Sequence, residues 1–285
     1  RVLYQVPGWG FQSWRAGGDE CVGFALKLAD ACERASNVPA ARAGLERALS
    51  MAPSNAAIVT ALGNIYEAAG DLRAVIALWL AGAEQVADPN ARFDLYMSAG
   101  SRLNEHQLDP ELAIRSLEAA RAIKPADLTA AALLSDAYVL VGQLRQASDI
   151  LSQGIALQKG RRSKELAPIQ FRLGMIARME GRRADELQFL SLALDMDAQN
   201  GVVASELATS SLEQGNLELA TKALRAITMM KGTAPVPRAL AYQRLAEIAL
   251  HQGDQKKGTL LAKRATDEDP TLESARELFQ RLSGR

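Results

Sequence analysis

The chain has 285 residues with 33 basic and 33 acidic side chains, and 48% of its residues are hydrophobic. This composition is that of a globular protein, so it excludes a mainly disordered chain, and the zero net charge gives no support for a nucleic-acid partner. No run of 18 or more apolar residues is present, so the sequence contains no candidate membrane span.

The first 18 residues are rich in glycine and aromatic side chains, including Trp9 and Trp14. Because glycine disfavours helices, we expect an irregular arm over residues 1–18. Either its aromatic side chains cover the edge of the first helical unit, or it is the remnant of a preceding domain or a partner-binding arm.

The chain begins with Arg1 rather than methionine, and we therefore expect a fragment or a processed form. We expect a cytoplasmic location, with the periplasm as the alternative if a targeting signal has been removed. The excess of arginine over lysine and the abundance of alanine favour a bacterial source.

From residue 19 to residue 270 a short pattern returns. A leucine precedes a small residue, and a glycine with a polar neighbour follows about eight residues later, as in Leu62-Gly63 with Gly70-Asp71. Further glycines of this kind are Gly142, Gly181, Gly215 and Gly253. Leu173 and Leu207 are 34 residues apart, whereas Leu207 and Leu245 are 38 apart, and the surplus fits a loop around Gly232, Pro235 and Pro237.

This pattern predicts pairs of amphipathic helices joined by tight turns. Small residues allow two helices to cross closely, the turn glycine takes a left-handed conformation, and a proline such as Pro53, Pro125 or Pro270 ends the second helix. Neither helix can bury its apolar stripe alone, so the pairs must stack on their neighbours.

The offsets resemble those of tetratricopeptide repeats. In that register residues 19–270 hold seven units, and the third is the poorest match because Leu108-Asp109-Pro110 replaces the glycine turn. The resemblance implies an all-α fold, an α-solenoid wound as a right-handed superhelix of tandem helix-turn-helix repeats. Over residues 271–285 the spacing of Leu272, Ala275, Leu278 and Leu282 predicts a C-terminal capping helix.

The sequence lacks the motifs of an enzyme. His106 and His251 have no nearby partners at ligand spacing, so neither indicates a metal site. No phosphate-binding glycine loop or nucleophile elbow is present. We therefore expect no catalysis, no metal and no cofactor.

The resemblance also implies a groove lined by the first helix of each unit. In this register the partner-binding positions are Asn64, Arg102, Asp136, Phe171, Met175, Arg178, Met179 and Gln243, and the sixth unit adds Ser205. In the fifth unit Phe171, Met175 and Met179 form a second apolar line beside Arg172, Arg178, Arg182 and Arg183, after the basic residues Lys159, Arg161, Arg162 and Lys164. This line indicates an acidic, amphipathic partner, or else it packs against neighbouring units while the arginines are solvated.

These features predict a non-catalytic scaffold or adaptor that binds a partner helix or peptide in its groove. The alternative is a regulatory or substrate-recruiting domain of a larger enzyme or of a bacterial envelope or pilus-assembly system, which rests on fold analogy. The oligomeric state does not follow from the sequence.

Overall fold

The computed structural model describes residues 18–34, 37–160 and 163–284. The expected arm therefore lies outside the described residues except for Gly18, where the first helix begins. Within the described ranges every regular element is helical, which confirms the all-α prediction. None of the helices in these ranges is long and apolar enough to cross a membrane.

Fifteen α-helices follow one another in these ranges, and a short 3-10 helix, Lys164–Leu166, precedes the ninth. Their bounds are α1 Gly18–Arg34, α2 Val38–Met51, α3 Ala56–Ala68, α4 Leu72–Gln85, α5 Pro89–Glu105, α6 Pro110–Ile123, α7 Leu128–Leu140, α8 Leu144–Leu157, α9 Ala167–Met179, α10 Arg183–Met196, α11 Gly201–Glu213, α12 Leu217–Met229, α13 Arg238–His251, α14 Gln255–Glu268 and α15 Glu273–Ser283.

The helices group into two compact units, residues 1–141 (unit 1) and residues 142–285 (unit 2). In unit 1 each helix from α1 to α6 packs against the next one along the chain. The same holds in unit 2 from α8 to α15. Each unit is therefore a tandem series of helical hairpins that bury their apolar stripes against each other.

The turn glycines have the backbone conformation that the sequence predicts. Gly70, Gly142, Gly181, Gly215 and Gly253 all have φ between 70° and 80°. At Gly215 this left-handed residue lets Asn216 donate its N–H to the carbonyl of Ser211, and the Asn216 side chain then accepts from the N–H of Leu219 at the start of α12. A residue with a Cβ adopts this conformation only at a cost, which explains the recurrence of glycine.

The turn of the third hairpin has a left-handed residue that is not glycine. Gln107, between α5 and α6, takes the left-handed conformation with φ 49°, and the Asp109 side chain caps α6 by accepting from the N–H of Leu112. A Cβ on Gly100 would lie 2.5 Å from Leu117 Cγ, much as one on Gly63 would lie 2.6 Å from Trp79 Nε1. Gly100 is therefore the structural equivalent of Gly63.

Hairpin-to-hairpin contacts in unit 1 include a recurring phenol bond. The Tyr66 hydroxyl donates to Glu46 Oε1 at 2.8 Å, and the Tyr138 hydroxyl donates to Glu118 Oε1 at 2.6 Å. In both cases the tyrosine on a first helix reaches a glutamate 20 residues earlier, on the second helix of the preceding hairpin. This bond fixes the relative position of consecutive hairpins.

The core of unit 2 runs continuously through its hairpins. Leu190 of α10, Leu207 of α11 and Leu224 of α12 are completely buried in one apolar cluster. Each such side chain contributes roughly 1.5–3 kcal/mol by leaving water. At the C-terminal end Ala275 and Leu278 of α15 are buried, and α15 packs against α13 and α14. The role of α15 as a cap stays a prediction.

Candidate functional site

The apolar line on α9 runs from the core of unit 2 to its surface. Phe171 is half-buried and packs against the apolar cluster of unit 2, so this side chain follows the packing alternative. Met175, one turn later, is also half-buried, and Met179 is 55% exposed. The outer end of the line is therefore exposed to solvent, whereas its inner end belongs to the core.

Arg178 lies beside this line, but its guanidinium is already engaged within unit 2. Its Nε donates to Glu186 Oε1 of α10 at 2.7 Å, its Nη1 donates to Glu206 Oε2 of α11 at 3.0 Å, and its Nη2 donates to the Ser210 hydroxyl. Burial lowers the pKa of Arg178, but the hydrogen bond to Glu186 and the charges of Glu186 and Glu206 together outweigh this effect. The pKa of Arg178 is therefore raised above its ordinary value. Arg178 thus joins α9, α10 and α11.

The other cations near α9 differ in how much they are paired. Arg182 donates to Glu180 and Asp185, and the hydrogen bond to Glu180 is the main reason that the pKa of Arg182 is raised. Arg183 is 58% exposed with Nη1 3.6 Å from Glu186 Oε2, and Lys164 is 71% exposed with Nζ 3.3 Å from Asp197 Oδ1. Arg183 and Lys164 are therefore exposed cations near the two ends of α9. Arg161 and Arg162 lie outside the described residues.

Gln243, on α13, faces the C-terminal helix rather than an open groove. Its Nε2 donates to Glu247 Oε1 at 3.0 Å, and its Oε1 accepts from the Ser274 hydroxyl of α15 at 2.7 Å. The residue is 9% exposed. Its assignment to a binding surface stays a prediction, and a partner would have to displace these bonds.

In unit 1 the predicted positions lie on α3, α5 and α7. Asn64 is exposed on α3. Arg102 of α5 donates to Glu67 Oε1 of α3 at 2.7 Å and to Glu105 Oε2 at 2.6 Å. The hydrogen bond to Glu105, followed by that to Glu67, raises the pKa of Arg102. This ion pair links the first helices of two consecutive hairpins.

Asp136 of α7 lines a shallow depression of about 490 Å³ between α5 and α7. Its other lining residues are Ser101, Asn104, Glu105, Leu133, Val139 and Leu140. Asn104 spans the two helices, since its Nδ2 donates to the carbonyl of Leu133 at 2.7 Å. The predicted positions did not include Ser101 or Asn104. Matching Gly100 of α5 to Gly63 of α3 would have indicated both residues, because Ser101 then corresponds to Asn64 and Asn104 corresponds to Glu67.

The two histidines lie at turns. His106 is the residue that ends α5 and His251 is the last residue of α13, and both are exposed. In the part of the chain that the structure describes, no group of three histidine, cysteine, aspartate or glutamate side chains is placed to hold a metal ion.

Comparison with known proteins gives a result at the level of structure. No protein-family model matches the chain, and no curated protein matches it significantly. The C-terminal part of a tetratricopeptide-repeat-containing protein from Cytophaga hutchinsonii superposes with a TM-score of 0.62 at 14% identity, over 88% of this chain and 98% of that one. A tetratricopeptide repeat protein from Parabacteroides merdae superposes with a TM-score of 0.53 at 15% identity, over 94% and 99% of the two chains. Together with the tandem hairpins and their turn glycines, these similarities show that the chain has the fold of the tetratricopeptide-repeat proteins.

Proposed function

We propose that the protein is a non-catalytic scaffold or adaptor that binds a helix or peptide of a partner protein on the first helices of its hairpins. The fold supports this proposal, because proteins with this architecture generally mediate protein–protein interaction. The observation that carries the proposal is the apolar line on α9 (the α9 line). Its first residue, Phe171, packs in the core, Met175 is half-buried, and Met179 at the outer end is 55% exposed. A partner side chain placed on Met179 would extend the existing core outward.

The same surface favours an acidic, amphipathic partner segment. Methionine adapts to partner side chains of different shapes, and Arg183 and Lys164 are well exposed. Arg178 keeps α9 in position for this contact, because its ion pairs hold α9 against α10 and α11. In unit 1, Asn64, Arg102 and Asp136 form a separate surface for partner contacts in this proposal.

The substitution Met179→Glu tests the proposal. Proteins captured from the source cell by the wild-type chain are identified, and the dissociation constant of the purified partner is measured by calorimetry. Loss of one buried methionine contact costs about 1.5–3 kcal/mol, so we expect binding to weaken by at least about tenfold. The partner should also bind less tightly as salt concentration rises, because the attraction to Arg183 and Lys164 is screened.

Met229→Glu is the matched control. Met229 is 79% exposed at the end of α12 in the same unit and is not part of the α9 line. We expect Met229→Glu to retain the partner with an unchanged dissociation constant. An equal effect of the two substitutions, or no effect of Met179→Glu in a folded chain, would contradict the assignment of the α9 surface.

A further inference from the structure

The connection between α12 and α13, residues 230–237 (the α12–α13 loop), lies on the N-terminal half of α11. The N–H of Val236 donates to the Ser205 hydroxyl of α11 at 3.0 Å, and the N–H of Lys231 donates to Gln199 Oε1 just before α11 at 3.1 Å. A Cβ on Gly201 of α11 would lie 2.5 Å from the carbonyl oxygen of Thr233. Only a glycine at position 201 allows the loop to approach this closely.

The loop has the burial pattern of an extended peptide bound to a surface. Ala234 and Val236 are half-buried and pack against the apolar cluster of unit 2, whereas Thr233, Pro235 and Pro237 are exposed. Alternation with a period of two is the pattern of an extended chain with one side in contact. Pro235 and Pro237 restrict the residues before them to extended conformations, so Ala234 and Val236 lose little conformational freedom on docking.

The position of the loop coincides with a predicted binding position. Ser205 is the groove-facing residue of the sixth unit in the register of the repeats, and it is 4% exposed because it lies beneath the loop. The apolar cluster that Ala234 and Val236 contact is also the one that Phe171 of α9 contacts. The spacing from Leu207 to Leu245 exceeds the 34 residues between Leu173 and Leu207 by four, so the loop has the length to fold back onto α11.

We propose that residues 233–237 are a built-in occupant of a peptide-binding surface on α11, and that the partner segment which displaces them has the same chemistry. That segment is extended, carries small or β-branched apolar side chains two residues apart with prolines between them, and donates a backbone N–H to Ser205. The backbone of the loop lies so close to Gly201 that a partner residue in the position of Thr233 has no room for a side chain pointing toward α11. The inference rests on the proposed function only in that a partner uses this face.

The test removes the loop and returns its sequence as a separate peptide. Deletion of residues 233–236, which include Ala234 and Val236, restores the 34-residue spacing and leaves four residues between α12 and α13, as between α10 and α11. The probe is the peptide acetyl-Lys-Gly-Thr-Ala-Pro-Val-Pro-amide, titrated into isotope-labelled full-length chain while amide resonances are followed by NMR. We expect saturable shifts at Gly201 and Ser205 in the deletion variant. In the wild type we expect the same shifts only at higher peptide concentration, because the peptide there has to displace the loop.

Two matched controls separate this binding from nonspecific contact. The peptide with aspartate in place of valine should not bind, because its carboxylate would enter the apolar contact. Ser205→Ala in the deletion variant should weaken binding by about two- to tenfold, which corresponds to the loss of one hydrogen bond. Absence of binding to a folded deletion variant, or equal binding of the aspartate peptide, would overturn the proposal.

Hydrogen exchange on the wild-type chain keeps the proposal testable if the deletion variant does not fold. A displaceable loop opens without unfolding α11, so the N–H of Val236 should exchange at least about tenfold faster than the buried amides of α11. Exchange of Val236 at the same rate as those amides would show that the loop is a permanent part of the core, and would overturn the proposal. Neither measurement involves Met179 or an unidentified partner, so its outcome is independent of the test of the α9 surface.

Discussion

The ion pair between Arg178 and Glu186 should make a large contribution to the stability of unit 2. Glu186 is fully buried, and the Arg178 side chain is 30% exposed. Removing one member of a buried pair costs about 3–5 kcal/mol, because the remaining charge has lost both water and its partner. Gln214 Nε2 at 3.2 Å and Arg183 Nη1 at 3.6 Å would still face Glu186, so we expect a loss at or just below the lower limit of this range, about 2–3 kcal/mol, for Arg178→Met.

Hydrogen exchange of the α9, α10 and α11 amides measures this loss, since stability in a repeat array is local. Arg182→Met is the matched control. Arg182 is 41% exposed and its partners Glu180 and Asp185 are 20% and 44% exposed, whereas Glu186 is fully buried, so the loss of Arg182 should cost less than about 1 kcal/mol. Adding Glu186→Met to Arg178→Met removes the unpaired charge and should recover at least about 1.5 kcal/mol. Equal costs for Arg178→Met and Arg182→Met, or a double variant no more stable than Arg178→Met, would refute this reasoning.

Two other substitutions test the packing of unit 1. Gly63→Ala should lower its stability by about 1–3 kcal/mol in thermal denaturation, because the new Cβ would lie 2.6 Å from Trp79 Nε1, whereas Gly23→Ala, with nothing within 4 Å, should be neutral or stabilising. Burial, followed by the hydrogen bond to Glu118, raises the pKa of Tyr138 to about 12. The folded chain thus holds this proton more tightly than the unfolded chain, so the contribution of Tyr138 is fully present below pH 10 and is lost as pH rises through about 12. Denaturation midpoints measured across this window should fall less steeply in Tyr138→Phe, and an identical pH dependence would contradict this assignment.

The period of the repeat made most of the fold predictable from the sequence. Turn glycines and closing prolines act through local backbone geometry, and the helix ends near Gly215 and Pro125 follow from it. The third hairpin was harder, because Gln107 performs the role of glycine without its sequence signal. Gly100 nevertheless marks the close contact between α5 and α6, and matching it to Gly63 puts α5 in register with α3.

The candidate surfaces were less predictable, since they depend on side chains that are distant in sequence. The sequence places Arg178 beside the methionine line, but its partners Glu206 and Ser210 are 28 and 32 residues away and meet it only through the stacking of α9 on α10 and α11. Likewise the four surplus residues before α13 predicted a loop. Their direction, back over Ser205, depends on the space that Gly201 leaves on α11.

The phenol bonds of unit 1 skip one junction. The residue of α5 equivalent to Tyr66 and Tyr138 is Leu103, which is buried and has no hydroxyl to offer α4. There the first helices are bridged instead by Arg102 and Glu67, at 37% and 29% side-chain exposure. Ionic strength screens such a half-exposed ion pair but leaves a phenol bond almost untouched. High salt should therefore weaken the contact between the second and third hairpins before it weakens the contacts that carry phenol bonds. The middle of unit 1, rather than its ends, should respond to ionic strength.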